Sequence, residues 1–190
     1  MMKGCRPLNE QEVEKIISFF SKNRYGLRDI ALVLLGLYTG RRISQLLSVK
    51  VEDVYNSKTD KVNDRLWFAR QHVKGKREGE VVILHPKVKT AIKTWVEAMP
   101  TSDFLFCSQK GGAISRMQAH RILKEAVEVL NLEGKVATHS MRKTFAKKMY
   151  GALDNDIYRL QRAMGHTDIK TTVKYLSFQQ EDIDDAILGM

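Results

Sequence analysis

The chain of 190 residues has only two cysteines, Cys5 and Cys107, and no long hydrophobic run. Two thiols are too few for a disulfide framework or a thiolate metal site. The longest apolar run, Ile30 to Tyr38, has nine residues, whereas a membrane span needs about 20. The amino terminus has no apolar signal core, and no stretch rich in proline, glycine or serine separates two domains. We therefore expect one cytoplasmic globular domain that does not contact a membrane.

Basic side chains are in excess, and they are unevenly distributed. The net charge is +10 at pH 7. The last twelve residues, 179–190, carry four acids and no base, so residues 1–178 hold a net charge of +14. Such a surplus suits a polyanion, and nucleic acid is the default partner, although a ribosomal-type or membrane-surface protein can share this composition.

Helical periodicity dominates the chain. Asn9, with Glu12 three residues later, predicts the start of a first helix. An almost wholly apolar segment predicts a second helix from about Leu27 to Tyr38, ended by Gly40. Two strand-like runs between Leu66 and Leu84 flank a cationic, glycine-containing turn and predict a hairpin. Further helices are expected at Ile43–Leu47, Pro86–Met99, Ser115–Leu130, His139–Tyr150, Asp156–Met164 and Asp168–Leu176. The predicted fold is mainly α with a small antiparallel β-sheet.

Adjacent arginines follow the second helix, in Thr-Gly-Arg-Arg. If a helix begins directly after Gly40, Arg42 shares a face with Leu46, whereas Arg41 shares a face with Gln45. Arg42 is then the candidate for a partly buried, positioned guanidinium. An arginine that reaches out from a helix start into solvent explains the same pattern.

His139 and Arg142 stand three residues apart on a predicted helix, which makes them neighbours on one face. An imidazole beside a guanidinium suits a phosphodiester, whose oxygens need both charge compensation and proton transfer. A pair of solvated helix residues has the same spacing.

A tyrosine follows a Gly-His pair near the end of the chain. Gly165 suits a left-handed helix end, which leaves His166 in a loop and places Tyr175 two turns into the next helix. Tyr175 would lie at one edge of an apolar stripe formed by Ile169, Val173 and Leu176. Either an aromatic packed at the surface or a hydroxyl exposed in a cleft fits that position.

Taken together and in order, these short motifs resemble those of the tyrosine recombinase (phage-type integrase) family. The resemblance extends from about Arg6 to Phe178. The matching stretches are Thr39–Ser44, Lys74–Lys76, His139–Arg142, Gly165–His166 and Thr171–Tyr175. It implies the catalytic-domain fold of that family and an enzyme of site-specific DNA recombination or integration, typical of mobile genetic elements.

The resemblance also implies roles for the site residues. Tyr175 would attack the scissile phosphate, forming a 3′-phosphotyrosine and releasing a 5′-hydroxyl. Arg42 and Arg142 would hold the non-bridging oxygens. His139 would assist proton transfer, and His166 would hydrogen-bond the phosphate.

A lysine of the hairpin would protonate the leaving oxygen. Lys74 and Lys76 are both possible, and Lys74 is preferred because it lies where the first strand enters the turn. Covalent catalysis stores the phosphodiester energy in the enzyme, so neither ATP nor a metal ion nor another cofactor is expected.

This chain departs from the family pattern in three ways. Gln45 stands where the family usually has an acid, and Arg41 stands where it usually has an apolar residue. We assign residues 1–178 to the catalytic domain and residues 179–190 to an acidic amphipathic tail, which leaves no room for the amino-terminal core-binding domain of integrases.

The expected partners are double-stranded DNA and further copies of the chain. Recombinases of this kind act as tetramers, in which the tail typically packs on a neighbouring protomer, and we expect the protein with its DNA in the nucleoid. Two alternatives are a type IB topoisomerase, which relaxes DNA as a monomer, and a DNA-binding accessory protein whose site is vestigial.

Overall fold

In a computed structural model of the protein, residues 4–68, 79–176 and 187–189 are described. The chain divides into two compact units, residues 1–145 and 146–190. The catalytic domain predicted over residues 1–178 includes most of both units, and its boundary stays a prediction. None of the helices in the described ranges combines the length and the apolar character that a bilayer span requires.

The first helix, α1 (Glu10–Phe20), begins as the sequence predicts. The Asn9 side chain accepts a hydrogen bond of 2.8 Å from the Glu12 amide, and the Glu12 carboxylate accepts one of 2.9 Å from the Asn9 amide. These reciprocal bonds satisfy two donors that every helix start leaves open.

Helix α2 (Gly26–Thr39) is the centre of the first unit. Leu32 and Leu35 belong to one buried apolar cluster, and Val33 and Leu37 belong to a second. A helix segment buried on all sides needs apolar residues all round, which explains the sequence of α2 from Ala31 to Leu37. It ends at Gly40, whose φ of 62° is left-handed, as predicted.

Short elements follow. They are α3 (Ile43–Leu47), α4 (Val51–Val54), β1 (Tyr55–Asn56), β2 (Lys61–Val62), β3 (Arg65–Phe68) and β4 (Glu80–Ile83). Strand β1 pairs with β2, and β3 pairs with β4, both antiparallel. The mainly α fold is confirmed, with two small sheets where one was predicted. The hairpin's connecting residues 69–78, with Lys74 and Lys76, lie outside the described residues.

Longer helices complete the chain. They are α5 (Pro86–Ala98), α6 (Arg116–Val129), α7 (Thr138–Ala152), α8 (Ile157–Ala163) and α9 (Ile169–Leu176). Their bounds agree with the predicted bounds to within two residues. Helix α7 begins in the first unit, whereas α8 and α9 belong to the second and pack against each other.

Candidate active site

Gly40 fixes the loop that leads to the two arginines. A Cβ atom at this position would lie 2.2 Å from Cδ1 of Phe145, and φ is 62°. The carbonyl of Gly40 accepts a hydrogen bond from Nη1 of Arg142. Glycine is therefore required for the left-handed turn and for the close approach of α7, and that approach brings Arg142 to the loop.

Arg41 and Arg42 lie in this loop and not in α3, so the argument from helical faces is wrong. Arg42 has extended backbone angles, with φ −67° and ψ 147°, and the helix begins one residue later at Ile43. The side-chain oxygen of Gln45 accepts a hydrogen bond of 3.1 Å from the Arg42 amide. The side chain of Gln45 thus holds the backbone of Arg42.

Of the two arginines, Arg41 is the more deeply buried, with 6% of its surface exposed. Its guanidinium is ion-paired with Glu80 of β4. Burial, and after it repulsion by Arg142 and Arg42, lowers the pKa of Arg41 to about 10. Arg42 is half-buried, and its guanidinium has no hydrogen bond to any part of the chain that the structure describes. Arg42 is therefore the better placed of the two to bind a ligand.

His139 and Arg142 project from the first two turns of α7. Arg142 is 1% exposed, whereas much of the His139 side chain faces solvent. Partial burial of the imidazole, followed by the charges of Arg142 and Arg42 and then of Lys143, lowers the pKa of His139. These residues are close enough for their charges to interact, and the cations favour a neutral imidazole. Fixed guanidinium donors beside a neutral imidazole can bind an anionic phosphodiester and exchange a proton with it.

In the second unit, His166 lies beside Tyr175. Gly165 ends α8 with a φ of 63°, as the sequence predicts, and His166 follows in the loop. Nδ1 of His166 lies 2.9 Å from the Thr172 hydroxyl oxygen. The ring centroids of His166 and Tyr175 are 5.3 Å apart. A histidine that is 8% exposed is thus held by a hydrogen bond from the helix that carries the tyrosine.

The prediction that Ile169, Val173 and Leu176 form the buried stripe of α9 is wrong. Thr172 is fully buried, whereas Val173 is 45% exposed. Thr172 can be buried because its hydroxyl bonds to His166, which removes the penalty for an unsatisfied polar group. Tyr175 lies three residues beyond Thr172, hence on the same side of the helix, and it is half-buried.

The predicted site residues fall into two sets. Arg42, His139 and Arg142 come together in the first unit, and His166 and Tyr175 come together in the second. Lys74 and Lys76 lie outside the described residues. Sequence patterns did not predict a role in the site for Glu80 or Thr172. Only the structure shows that Glu80 pairs with Arg41 and that Thr172 bonds to His166. Across the described ranges, no three His, Cys, Asp or Glu side chains are grouped so that they could hold a metal ion.

A family model, a curated relative and solved structures all match this chain to integrases and recombinases. The model of the phage integrase family matches residues 6–182. The probable integrase/recombinase YoeC of Bacillus subtilis is 33% identical over 90% of this chain and 86% of its own length. The crystal structure of XerA recombinase superimposes with a TM-score of 0.78 at 21% identity, over 100% of this chain and 65% of that chain. The structure of XerH recombinase in a post-cleavage complex with its difH substrate superimposes with a TM-score of 0.72 at 25% identity, over 95% of this chain and 51% of that chain.

Several other relatives are longer than this chain. Tyrosine recombinases that are 26 to 28% identical to it match over 83 to 94% of this chain but only 50 to 59% of their own length. The likeness therefore concerns one part of those proteins.

Proposed function

Because the chain belongs to the phage integrase family, we propose that it is the catalytic domain of a site-specific DNA recombinase. It cuts and rejoins DNA through a covalent 3′-phosphotyrosine intermediate. The observation that carries the proposal is that His139 and Arg142 share helix α7 and that Arg142 is bonded to the Gly40 loop that leads to Arg42. These three side chains offer charge and proton transfer to one phosphodiester. The neighbouring rings of His166 and Tyr175 support it with a candidate nucleophile.

In the proposed reaction, the phenol oxygen of Tyr175 attacks the scissile phosphorus. The new bond joins this oxygen to phosphorus, and the bond from phosphorus to the 5′-oxygen breaks. The phenol proton passes to His139, whose pKa is lowered by partial burial and by the charges of Arg142 and Arg42. The 5′-oxygen takes a proton from Lys74, or from Lys76, and leaves as a hydroxyl. Rejoining reverses these steps.

Arg142 and Arg42 compensate the negative charge of the phosphorane-like transition state in different ways. Arg142 is buried and bonded to the Gly40 carbonyl, so its guanidinium is oriented before DNA arrives. The backbone of Arg42 is held by the side chain of Gln45, and the guanidinium of Arg42 binds the phosphate. His166, held by its hydrogen bond with Thr172, hydrogen-bonds the phosphate.

Double-stranded DNA is the proposed substrate. The net charge of +14 over residues 1–178 and the difH complex of XerH support it. We place the protein with its DNA in the cytoplasm, as a homotetramer during strand exchange and with the tail, residues 179–190, docked on an adjacent protomer. Integration or excision of a mobile element is the proposed role.

A type IB topoisomerase and a non-catalytic DNA-binding protein are the alternatives, and one experiment separates them from a recombinase. The protein is incubated with a duplex whose nick lets the cleaved end diffuse away, and the products are resolved by denaturing electrophoresis. A covalent protein-DNA adduct that forms only on duplexes carrying a particular sequence supports the proposal. An adduct on any sequence, with relaxation of supercoiled plasmid by monomers, indicates a topoisomerase. Binding without any adduct refutes an enzymatic role.

A further inference from the structure

Arg41 lies between the loop that carries Arg42 and the β3–β4 ladder. Its guanidinium is ion-paired with the Glu80 carboxylate, and its Cζ atom lies 5.8 Å from the centroid of the Phe68 ring. The side chain of Arg41 is 5% exposed and that of Glu80 is 34% exposed. Burying a cation at this depth is unfavourable unless a carboxylate stays with it. The Glu80 contact therefore accounts for an arginine in the interior beside two other arginines.

Phe68 and Glu80 face each other across the ladder as cross-strand partners. Within the described residues they form the rung of the ladder nearest to the connecting segment, residues 69–78. Arg41 thus contacts both strands at a single rung. Along the sequence, Lys74 stands midway between these partners, six residues from each. Phe68 and Glu80 thus flank the lysine in the sequence, and the Arg41 contacts tie both flanks to the loop of Arg42.

We propose that Arg41 is a positioning residue for DNA cleavage, which fixes the Phe68–Glu80 rung to the loop of Arg42. This proposal rests on the proposed function. It assigns Arg41 no contact with DNA, because its guanidinium lies against Glu80 and the Phe68 ring. Its role is to keep a constant spacing between the phosphate-binding arginines and the hairpin that supplies the leaving-group proton. Proton transfer is sensitive to such spacing, since a general acid must come within hydrogen-bond reach of the leaving oxygen.

The test is Glu80→Gln, which keeps the shape of the side chain and removes its charge. We expect this variant to cleave an ordinary nicked duplex about tenfold or more slowly than the wild type, because small misplacements of catalytic groups have effects of this size. On a duplex with a 5′-bridging phosphorothiolate, whose sulfur leaves without a proton, the two rates should agree to within about twofold. The matched control is Glu97→Gln, which removes the carboxylate of an exposed pair with Lys93 and should leave both rates unchanged.

Two further measurements complete the test. Arg41→Leu/Glu80→Gln should be no slower than Arg41→Leu alone, since both changes remove the same ion pair. Amide hydrogen exchange in β4 should be faster in Glu80→Gln than in Glu97→Gln, which reports the loosened rung without any DNA. Normal cleavage of ordinary DNA by Glu80→Gln, an equal defect on both substrates, or unchanged exchange overturns the positioning role. Absence of any adduct with the wild type overturns the proposed function instead, and the exchange measurement still decides whether the pair holds the ladder.

Discussion

Replacing Gly40 by alanine should destabilise the first unit strongly, because two separate penalties meet at this residue. Gly40 has a φ of 62°, and an alanine Cβ would lie 2.2 Å from Cδ1 of Phe145. A left-handed conformation costs an ordinary L-residue about 1–2 kcal/mol. Forcing an extra methyl group against a packed ring adds about 1–3 kcal/mol. The expected loss in the free energy of unfolding is thus about 2–5 kcal/mol.

Gly111→Ala is the matched control. Gly111 also has a positive φ, 81°, but a Cβ atom there would meet no other atom within 4 Å. Gly111→Ala should therefore lower the free energy of unfolding only by the cost of the left-handed conformation, about 1–2 kcal/mol. Urea unfolding followed by tryptophan fluorescence measures both variants, since the two tryptophans, Trp67 and Trp95, belong to the first unit and Trp95 is buried.

The contact with Phe145 can be tested separately. In a Phe145→Ala background the Cγ, Cδ1 and Cε1 atoms that the new methyl group meets are gone, so Gly40→Ala should then cost no more than Gly111→Ala does. If Gly40→Ala and Gly111→Ala had equal effects in the native background, the close approach of α7 to the Gly40 loop would be refuted.

Three other predictions concern the chemistry. Measured by NMR, the His139 imidazole should titrate below its ordinary pKa of 6.5, so it gains its proton only as the pH falls below that value. Arg42→Gln should raise the midpoint of this titration because a repelling cation is removed. A midpoint at or above 6.5 in the wild type contradicts this prediction. Lys74→Ala should slow cleavage of ordinary DNA and be rescued by a 5′-bridging phosphorothiolate, and rescue of Lys76→Ala in its place would exchange the two roles. Cleavage should proceed in EDTA, because arginines supply the charge compensation, and a requirement for a divalent ion in the cleavage step would overturn that assignment.

Local signals predicted much of the fold. Asn9 and Glu12 form the expected capping box, and Gly40 and Gly165 have the left-handed angles expected at helix ends. Each depends on residues within one turn, which the sequence displays directly. The sheet β1–β2 was missed because strands of two residues are too short for a periodic pattern.

Features that depend on distant residues could not be predicted in this way. Arg41 was placed on a helix because no local pattern shows that α3 begins only at Ile43. Its partner Glu80 is 39 residues away in the sequence. The buried Thr172 contradicts the apolar spacing of α9, and only the bond to His166 explains it. His139 and Arg142, by contrast, were predicted as neighbours because a single helix sets their spacing.

The central claim is that Tyr175 is the nucleophile, and adduct formation by matched tyrosine variants tests it most directly. Tyr175→Phe removes one hydroxyl and no cation, so its affinity for duplex DNA should stay within about twofold of the wild type. Tyr158→Phe is the control, since Tyr158 is 69% exposed on α8 and has no proposed role. On a nicked duplex resolved by denaturing electrophoresis, the wild type and Tyr158→Phe should form the covalent adduct and Tyr175→Phe should form none. An adduct formed by Tyr175→Phe would contradict the account.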